Sequence, residues 1–111
     1  MEVAIEPRSS DTALVRLVGR LDLATCGSVR EQLADAVQHG HRNLVLDLEQ
    51  VSFMDSSGLG TLIGGLKTAR LAGGDLRIAR PAEQTAMILE LTSLNRVLVT
   101  YTSIEEALAG F

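Results

Sequence analysis

The most informative segment of the chain is Leu44-Val-Leu-Asp-Leu-Glu-Gln-Val-Ser-Phe-Met-Asp-Ser-Ser-Gly-Leu-Gly60. Residues 43–48 are rich in Leu and Val, which is typical of a well-buried strand. A loop is predicted over 49–55. The Asp-Ser-Ser triplet at 55–57 then supplies side-chain oxygens of the kind that accept the unpaired amides of a helix's first turn. The segment therefore predicts a buried strand that leads through a loop into a helix.

The same alternation of short strands and helices continues on both sides of this segment. Predicted strands lie at 3–5, 13–21, 43–48, 75–79 and 97–99, and predicted helices lie at 25–38, 56–72, 82–91 and 103–108. Strands that alternate with helices predict an α/β domain with a mostly parallel sheet. The first two strands are expected to form a hairpin, which makes the sheet mixed.

Helix ends can also be predicted from capping residues. Ser103 and Glu106 have the spacing of a capping box at the last helix. For the first helix, a box of Ser28 with Glu31 and a cap by Thr25 are both consistent with the sequence.

Length and composition restrict the function classes. The chain has 111 residues, 46% of them hydrophobic and 3% aromatic, and a net charge of -4. This predicts one domain over 1–111 that binds no nucleic acid, because basic and aromatic surfaces are missing. The single cysteine, Cys26, is interpreted as a core residue. The first residues lack the pattern of a signal peptide, so a cytoplasmic location and no membrane insertion are expected.

The start of the second predicted helix is the candidate functional site. Ligands and partners of open α/β sheets dock beyond the carboxyl ends of the strands. Ser57 is therefore expected near the rim of the sheet with an accessible hydroxyl. Gly58 and Gly60 follow it, although a glycine in a helix costs up to about 1 kcal/mol relative to alanine. Either close packing or a binding surface must offset that cost, and the small-residue row of Gly60 and Gly64 is interpreted as permitting close packing.

Several segments together resemble one bacterial family. The octapeptide Phe53-Met-Asp-Ser-Ser-Gly-Leu-Gly60 is similar to the signature of the anti-sigma factor antagonists, which are built on the STAS domain. The similarity extends over nearly the whole chain, through Gly19-Arg-Leu-Asp22, Leu44-Val-Leu-Asp47, Leu76-Arg-Ile-Ala79 with Arg80-Pro81, Leu91-Thr-Ser-Leu94 and Ser103-Ile-Glu-Glu-Ala-Leu108.

The resemblance implies a switching mechanism. In this family the anti-sigma factor is an ATP-dependent serine kinase that phosphorylates the second serine of the triplet, here Ser57. The unphosphorylated antagonist binds that kinase and displaces the sigma factor, and a serine phosphatase resets the system. The resemblance further implies a partner-binding surface around Ser57, formed by Asp22, Asp55, Ser56, Gly58, Leu59 and Gly60.

Enzymatic readings fit the sequence less well. Leu66 separates the last glycine of a near P-loop from Lys67, and the glycines lie in an apolar helical pattern. A serine hydrolase needs a base near its nucleophile, and the only histidines are His39 and His41, at a predicted helix end. The chain is therefore predicted to have no catalytic activity and no cofactor. The alternative function is a non-switching STAS scaffold, or an accessory subunit of a larger signalling or transport complex.

Overall fold

Five strands form one sheet in which the spatial order of the strands equals their order along the chain. A computed structural model describes residues 1–111. β1 and β2 are antiparallel, and all other neighbours are parallel, so the predicted mixed, mostly parallel α/β sheet is confirmed. The elements are β1 (Glu2–Pro7), β2 (Thr12–Leu21), α1 (Cys26–Gln38), β3 (Asn43–Met54), α2 (Ser56–Leu71), β4 (Asp75–Ala79), α3 (Glu83–Leu91), a short 3-10 helix (Leu94–Arg96), β5 (Thr100–Tyr101) and α4 (Ile104–Ala109).

The sequential strand order places the crossover helices on one face of the sheet. Parallel connections are right-handed, so crossovers that all advance in the same direction leave their helices on the same side. The main core accordingly contains Val29 of α1, Leu62 of α2 and Leu89 of α3. Only α4 covers the opposite face, where Ala107 packs against a small second cluster that includes Val45. β2 and β3 are parallel neighbours and α2 begins directly after β3, so the carboxyl ends of both strands lie beside the start of α2.

β3 is six residues longer than predicted, and the expected loop at 49–55 is wrong for all but its last residue. The strand continues because β2 also continues and pairs with it as far as Leu21 and Met54, with irregular register on the way. Val51 and Met54 are buried, whereas the polar residues Gln50 and Ser52 are exposed. This part of β3 extends beyond β4 and carries exposed polar residues. Its sequence therefore resembles that of a loop.

The last strand and one helix cap also differ from prediction. β5 pairs with β4 only at residues 100 and 101, not at 97–99. The 3-10 helix occupies the preceding residues, and Leu98 is buried in the main core while Val97 and Val99 are exposed. The Ser28 box is wrong, because α1 begins at Cys26 and Ser28 lies inside it. Of the predicted box at α4, the Ser103 cap is confirmed, since its side chain accepts the backbone amide of Glu106. The Glu106 carboxylate accepts from the Thr102 hydroxyl instead of completing the box.

The buried Thr85 hydroxyl of α3 supports a stability prediction. Its oxygen is fully buried and has no hydrogen-bond partner. Because an unpaired buried hydroxyl carries a desolvation penalty, Thr85→Val should leave stability unchanged or raise it by up to about 1 kcal/mol. Urea denaturation measures the change. Thr61→Val is the matched control, because the equally buried Thr61 hydroxyl donates to the Ser57 carbonyl at 3.1 Å and its removal should bring no gain. If Thr85→Val lowered the free energy of unfolding as much as Thr61→Val does, the prediction would be contradicted.

Candidate functional site

The predicted site residues Asp55, Ser56 and Ser57 form the start of α2. Asp55 is the N-cap, and its Oδ1 accepts the Gly58 amide at 3.0 Å. Ser56 is exposed and Ser57 is half-buried. The Ser57 hydroxyl makes no hydrogen bond within the chain, although the Ser57 carbonyl accepts one from Thr61 at 3.1 Å. The hydroxyl is therefore free for an external donor or acceptor, at the positive end of a helix.

Glycines along α2 fall into two classes that the sequence does not distinguish. Gly58 is buried, and a Cβ there would lie 2.5 Å from the Leu21 carbonyl oxygen and 2.8 Å from Cγ of Met54. Gly60 and Gly64 have no atom within 4 Å of such a Cβ. The interpretation of Gly60 and Gly64 as a close-packing row is thus wrong, because that face of α2 carries no neighbouring element. Close packing within the chain explains why residue 58 is a glycine, but no contact within the chain explains the glycine at residue 60.

The β2–α1 loop brings Asp22 close to the start of α2. Asp22 Oδ1 accepts the Ala24 amide at 3.0 Å, and its Oδ2 accepts from Arg20 at 3.4 Å. Partial desolvation opposes ionisation of the carboxyl group. The bonds from Arg20, Ala24 and Thr25 outweigh that effect and lower the pKa of Asp22 below its ordinary value. Asp22 is therefore an ionised group held in a defined orientation beside Ser57's helix.

A shallow groove of about 540 Å³ separates this loop from the start of α2. Asp22 and Asp55 both line the groove, although they are distant in sequence. Leu23 is 77% exposed there. The Arg20 guanidinium lies 4.2 Å from the centre of the Phe53 ring. A groove that combines an exposed leucine with two carboxylates suits a partner surface that offers both apolar and basic side chains.

Not every predicted site residue reaches the surface. Leu59 is 9% exposed and belongs to the main core, and Gly58 is buried, so their proposed part in binding stays a prediction. Leu23 and Phe53 also line the groove. Phe53 belongs to the signature octapeptide but was not predicted as a site residue, and Leu23 was not predicted at all. The only signal for Leu23 in the sequence was a leucine two residues after the predicted strand end at Leu21, next to Asp22.

The histidines lie far from Ser57 in the fold. α1 begins at the carboxyl end of β2 and ends before β3 begins, so His39 and His41 lie at the amino end of β3, at the other end of the strands from Ser57. Neither histidine is therefore placed to act as a base for Ser57. His39 Nδ1 is 2.7 Å from the Asp35 carbonyl oxygen.

No three His, Cys, Asp or Glu side chains are grouped as metal ligands. No helix has the length and apolar character needed to cross a bilayer.

Comparison with known proteins identifies the family. The STAS domain model matches residues 4–107. The chain therefore belongs to the STAS domain family. Among its relatives, the anti-sigma F factor antagonist of Paenibacillus polymyxa is 33% identical over 86% of this chain and 82% of that protein. The anti-sigma-B factor antagonist of Staphylococcus aureus is 32% identical over 88% of this chain and 92% of that protein. The phosphorylated form of the Bacillus cell fate determinant SpoIIAA superposes with a TM-score of 0.75, at 25% identity, over 96% of both chains.

Proposed function

We propose that this chain is an anti-sigma factor antagonist. It binds an anti-sigma factor that is a serine kinase, and that kinase switches it off by phosphorylating Ser57. The observation that carries the proposal is the unbonded Ser57 hydroxyl in the first turn of α2, two residues after the Asp55 cap, which lines the groove. The names of the curated relatives and the phosphorylated state of SpoIIAA support it.

Electrostatics explain how one phosphate can act as a switch. A phosphoserine carries about -1.5 to -2 charges and three strong acceptor oxygens. At the N-terminus of α2 the helix dipole favours that charge, so the fold should tolerate it. At a closed interface the same charge must lose water next to Asp55, which lines the groove together with Asp22, and this loss is unfavourable. Phosphorylation therefore changes affinity for the partner while the domain stays folded.

The character of the site favours a protein partner. The groove is shallow, and its lining combines the exposed Leu23 with the carboxylates of Asp22 and Asp55. A net charge of -4 disfavours nucleic acid. The proposal accordingly includes no catalytic turnover by the chain itself, no cofactor and a cytoplasmic location. It also includes a serine phosphatase that removes the phosphate.

Phosphate mapping tests the assignment of Ser57. Each purified anti-sigma factor kinase of the source organism is incubated with the chain and ATP, and the products are analysed by intact-mass and peptide mass spectrometry. We expect one phosphate per chain, on Ser57. Ser57→Ala should abolish it, whereas Ser56→Ala should retain it because Ser56 is the exposed first residue of α2 and its neighbour Asp55 supplies the cap. Phosphate on Ser56, or on any residue outside the triplet, would contradict the assignment.

The second candidate is a non-switching scaffold or an accessory subunit of a signalling or transport complex. It would use the same groove for binding but would not need a free hydroxyl at residue 57. Binding of a partner without any phosphate transfer, unchanged by Ser57→Asp, would favour it.

A further inference from the structure

The side-chain amide of Gln84, on α3, bonds both backbone groups of Met54, the last residue of β3. The Met54 amide donates to Oε1 of Gln84 at 3.1 Å, and Nε2 of Gln84 donates to the Met54 carbonyl at 3.1 Å. Pairing between β3 and β4 ends at Asp47 and Ala79, so the last residues of β3 have no strand on that side. Gln84 therefore supplies, at one residue, the two bonds that a neighbouring strand would make.

The two Gln84 bonds add to a small apolar contact between α3 and the rest of the domain, which is made by Leu89 in the main core and Ile88 packed against it. Only Thr85 and Leu89 of this helix are buried, and the Thr85 hydroxyl is unpaired. The N-cap residue Ala82 offers no side-chain bond to the first turn. Gln84 lies in that first turn, yet its amide bonds β3 and does not cap its own helix. The Gln84 amide therefore fixes the position of the Met54 backbone and not the first turn of α3.

Met54 in turn sets the start of α2. Its side chain is 1% exposed, and its Cγ lies 2.8 Å from the position a Cβ of Gly58 would take. The next residue along the chain is Asp55, the N-cap. On the other side, the Asp55 amide reaches the Leu21 carbonyl only at 3.4 Å, which is a long hydrogen bond. The two Gln84 bonds, each 3.1 Å, are shorter than this bond and hold Met54 from the side opposite its pairing with Leu21 of β2.

We infer that Gln84 is a positioning residue for Ser57, acting through the backbone of Met54. It holds the entry into α2 so that the Asp55 cap and the Ser57 hydroxyl are presented in one orientation to the partner. The effect on binding rests on the proposed function. The effect on the start of α2 does not, because it concerns the free chain alone.

Two substitutions of similar size separate the roles of the amide. Gln84→Met keeps the length of the side chain and removes both hydrogen bonds. Gln84→Glu keeps an acceptor for the Met54 amide but, as a carboxylate, cannot donate to the Met54 carbonyl. Glu90→Gln is the control, because residue 90 is exposed on the same helix. Each variant is compared with the wild-type chain.

Amide hydrogen exchange of the free chain, followed by NMR, measures the positioning directly. We expect Gln84→Met to speed exchange of the Met54 and Gly58 amides by about tenfold, with the Leu46 amide in the sheet centre unchanged, because only the local opening becomes easier. Gln84→Glu should leave the Met54 amide better protected than Gln84→Met does. Glu90→Gln should match the wild type. Unchanged exchange at Gly58 in Gln84→Met, or an equal increase at Leu46, would overturn the inference.

Affinity for a purified anti-sigma factor kinase of the source organism, measured by calorimetry, tests the effect on binding. We expect Gln84→Met to weaken binding by about tenfold while Glu90→Gln does not, because a less ordered docking site must be ordered on binding. Gln84→Glu should lie between them. Wild-type affinity in Gln84→Met would overturn the role in binding. If no such kinase binds the wild-type chain, the proposed function fails, and the Gly58 exchange still decides whether Gln84 positions α2.

Discussion

Ser57→Asp is expected to weaken binding to the anti-sigma factor by about thirtyfold or more, which corresponds to about 2 kcal/mol. The substituted carboxylate stands permanently in the first turn of α2, next to Asp55 and the groove that Asp22 lines. A partner that closes over this surface must desolvate an additional negative charge beside existing ones. Calorimetric titration against the purified kinase measures the loss.

The fold should survive the same substitution. A carboxylate near the N-terminus of a helix interacts favourably with the helix dipole, so thermal stability should change by less than about 1 kcal/mol. Ser57→Ala is the matched variant, because it removes the hydroxyl without adding charge. It should bind like the unphosphorylated chain and keep binding after ATP is added. Equal affinity of Ser57→Asp and the wild type would rule out a charge switch at this residue and favour the scaffold function.

Gly58→Ala and Gly60→Ala, two residues apart on one helix, are expected to change stability in opposite directions. The Cβ of Gly58→Ala would collide with the Leu21 carbonyl oxygen and with the buried Met54 side chain. Overpacking of this kind costs about 1–3 kcal/mol. The Cβ of Gly60→Ala would meet nothing, so this variant should gain up to about 1 kcal/mol from its higher helix propensity. Urea denaturation of both variants measures the two changes.

Affinity for the kinase should distinguish Gly60 from Gly64, the two glycines on the open face of α2. Gly60→Ala should weaken binding of the kinase although it stabilises the free chain, because its methyl group would occupy space that the partner is proposed to fill. Gly64→Ala is the control, since it lies one turn farther from Ser57 and is equally free of internal contacts. It should stabilise the chain to a similar extent with a smaller effect on affinity. Full affinity in Gly60→Ala would remove Gly60 from the docking surface.

Local patterns in the sequence were sufficient for much of the fold and for the centre of the site. Hydrophobic periodicity placed the four helices and every strand except the last, because the alternation of buried and exposed side chains is a local property. The start of α2 at Ser56, after an Asp55 cap, followed from hydrogen bonding between residues three apart. Ser57 emerged from the octapeptide resemblance together with this local chemistry.

Contacts between distant segments required the tertiary structure. β3 runs on to Met54 only because β2 pairs with it, and the groove exists because strand ends bring Asp22 and Asp55 together. The different roles of Gly58 and Gly60 depend on whether another element packs against each position. The bonds from Gln84 to Met54 join residues thirty apart. Sequence periodicity reports which face of an element is buried but not which partner buries it, so these features appear only once the chain is folded.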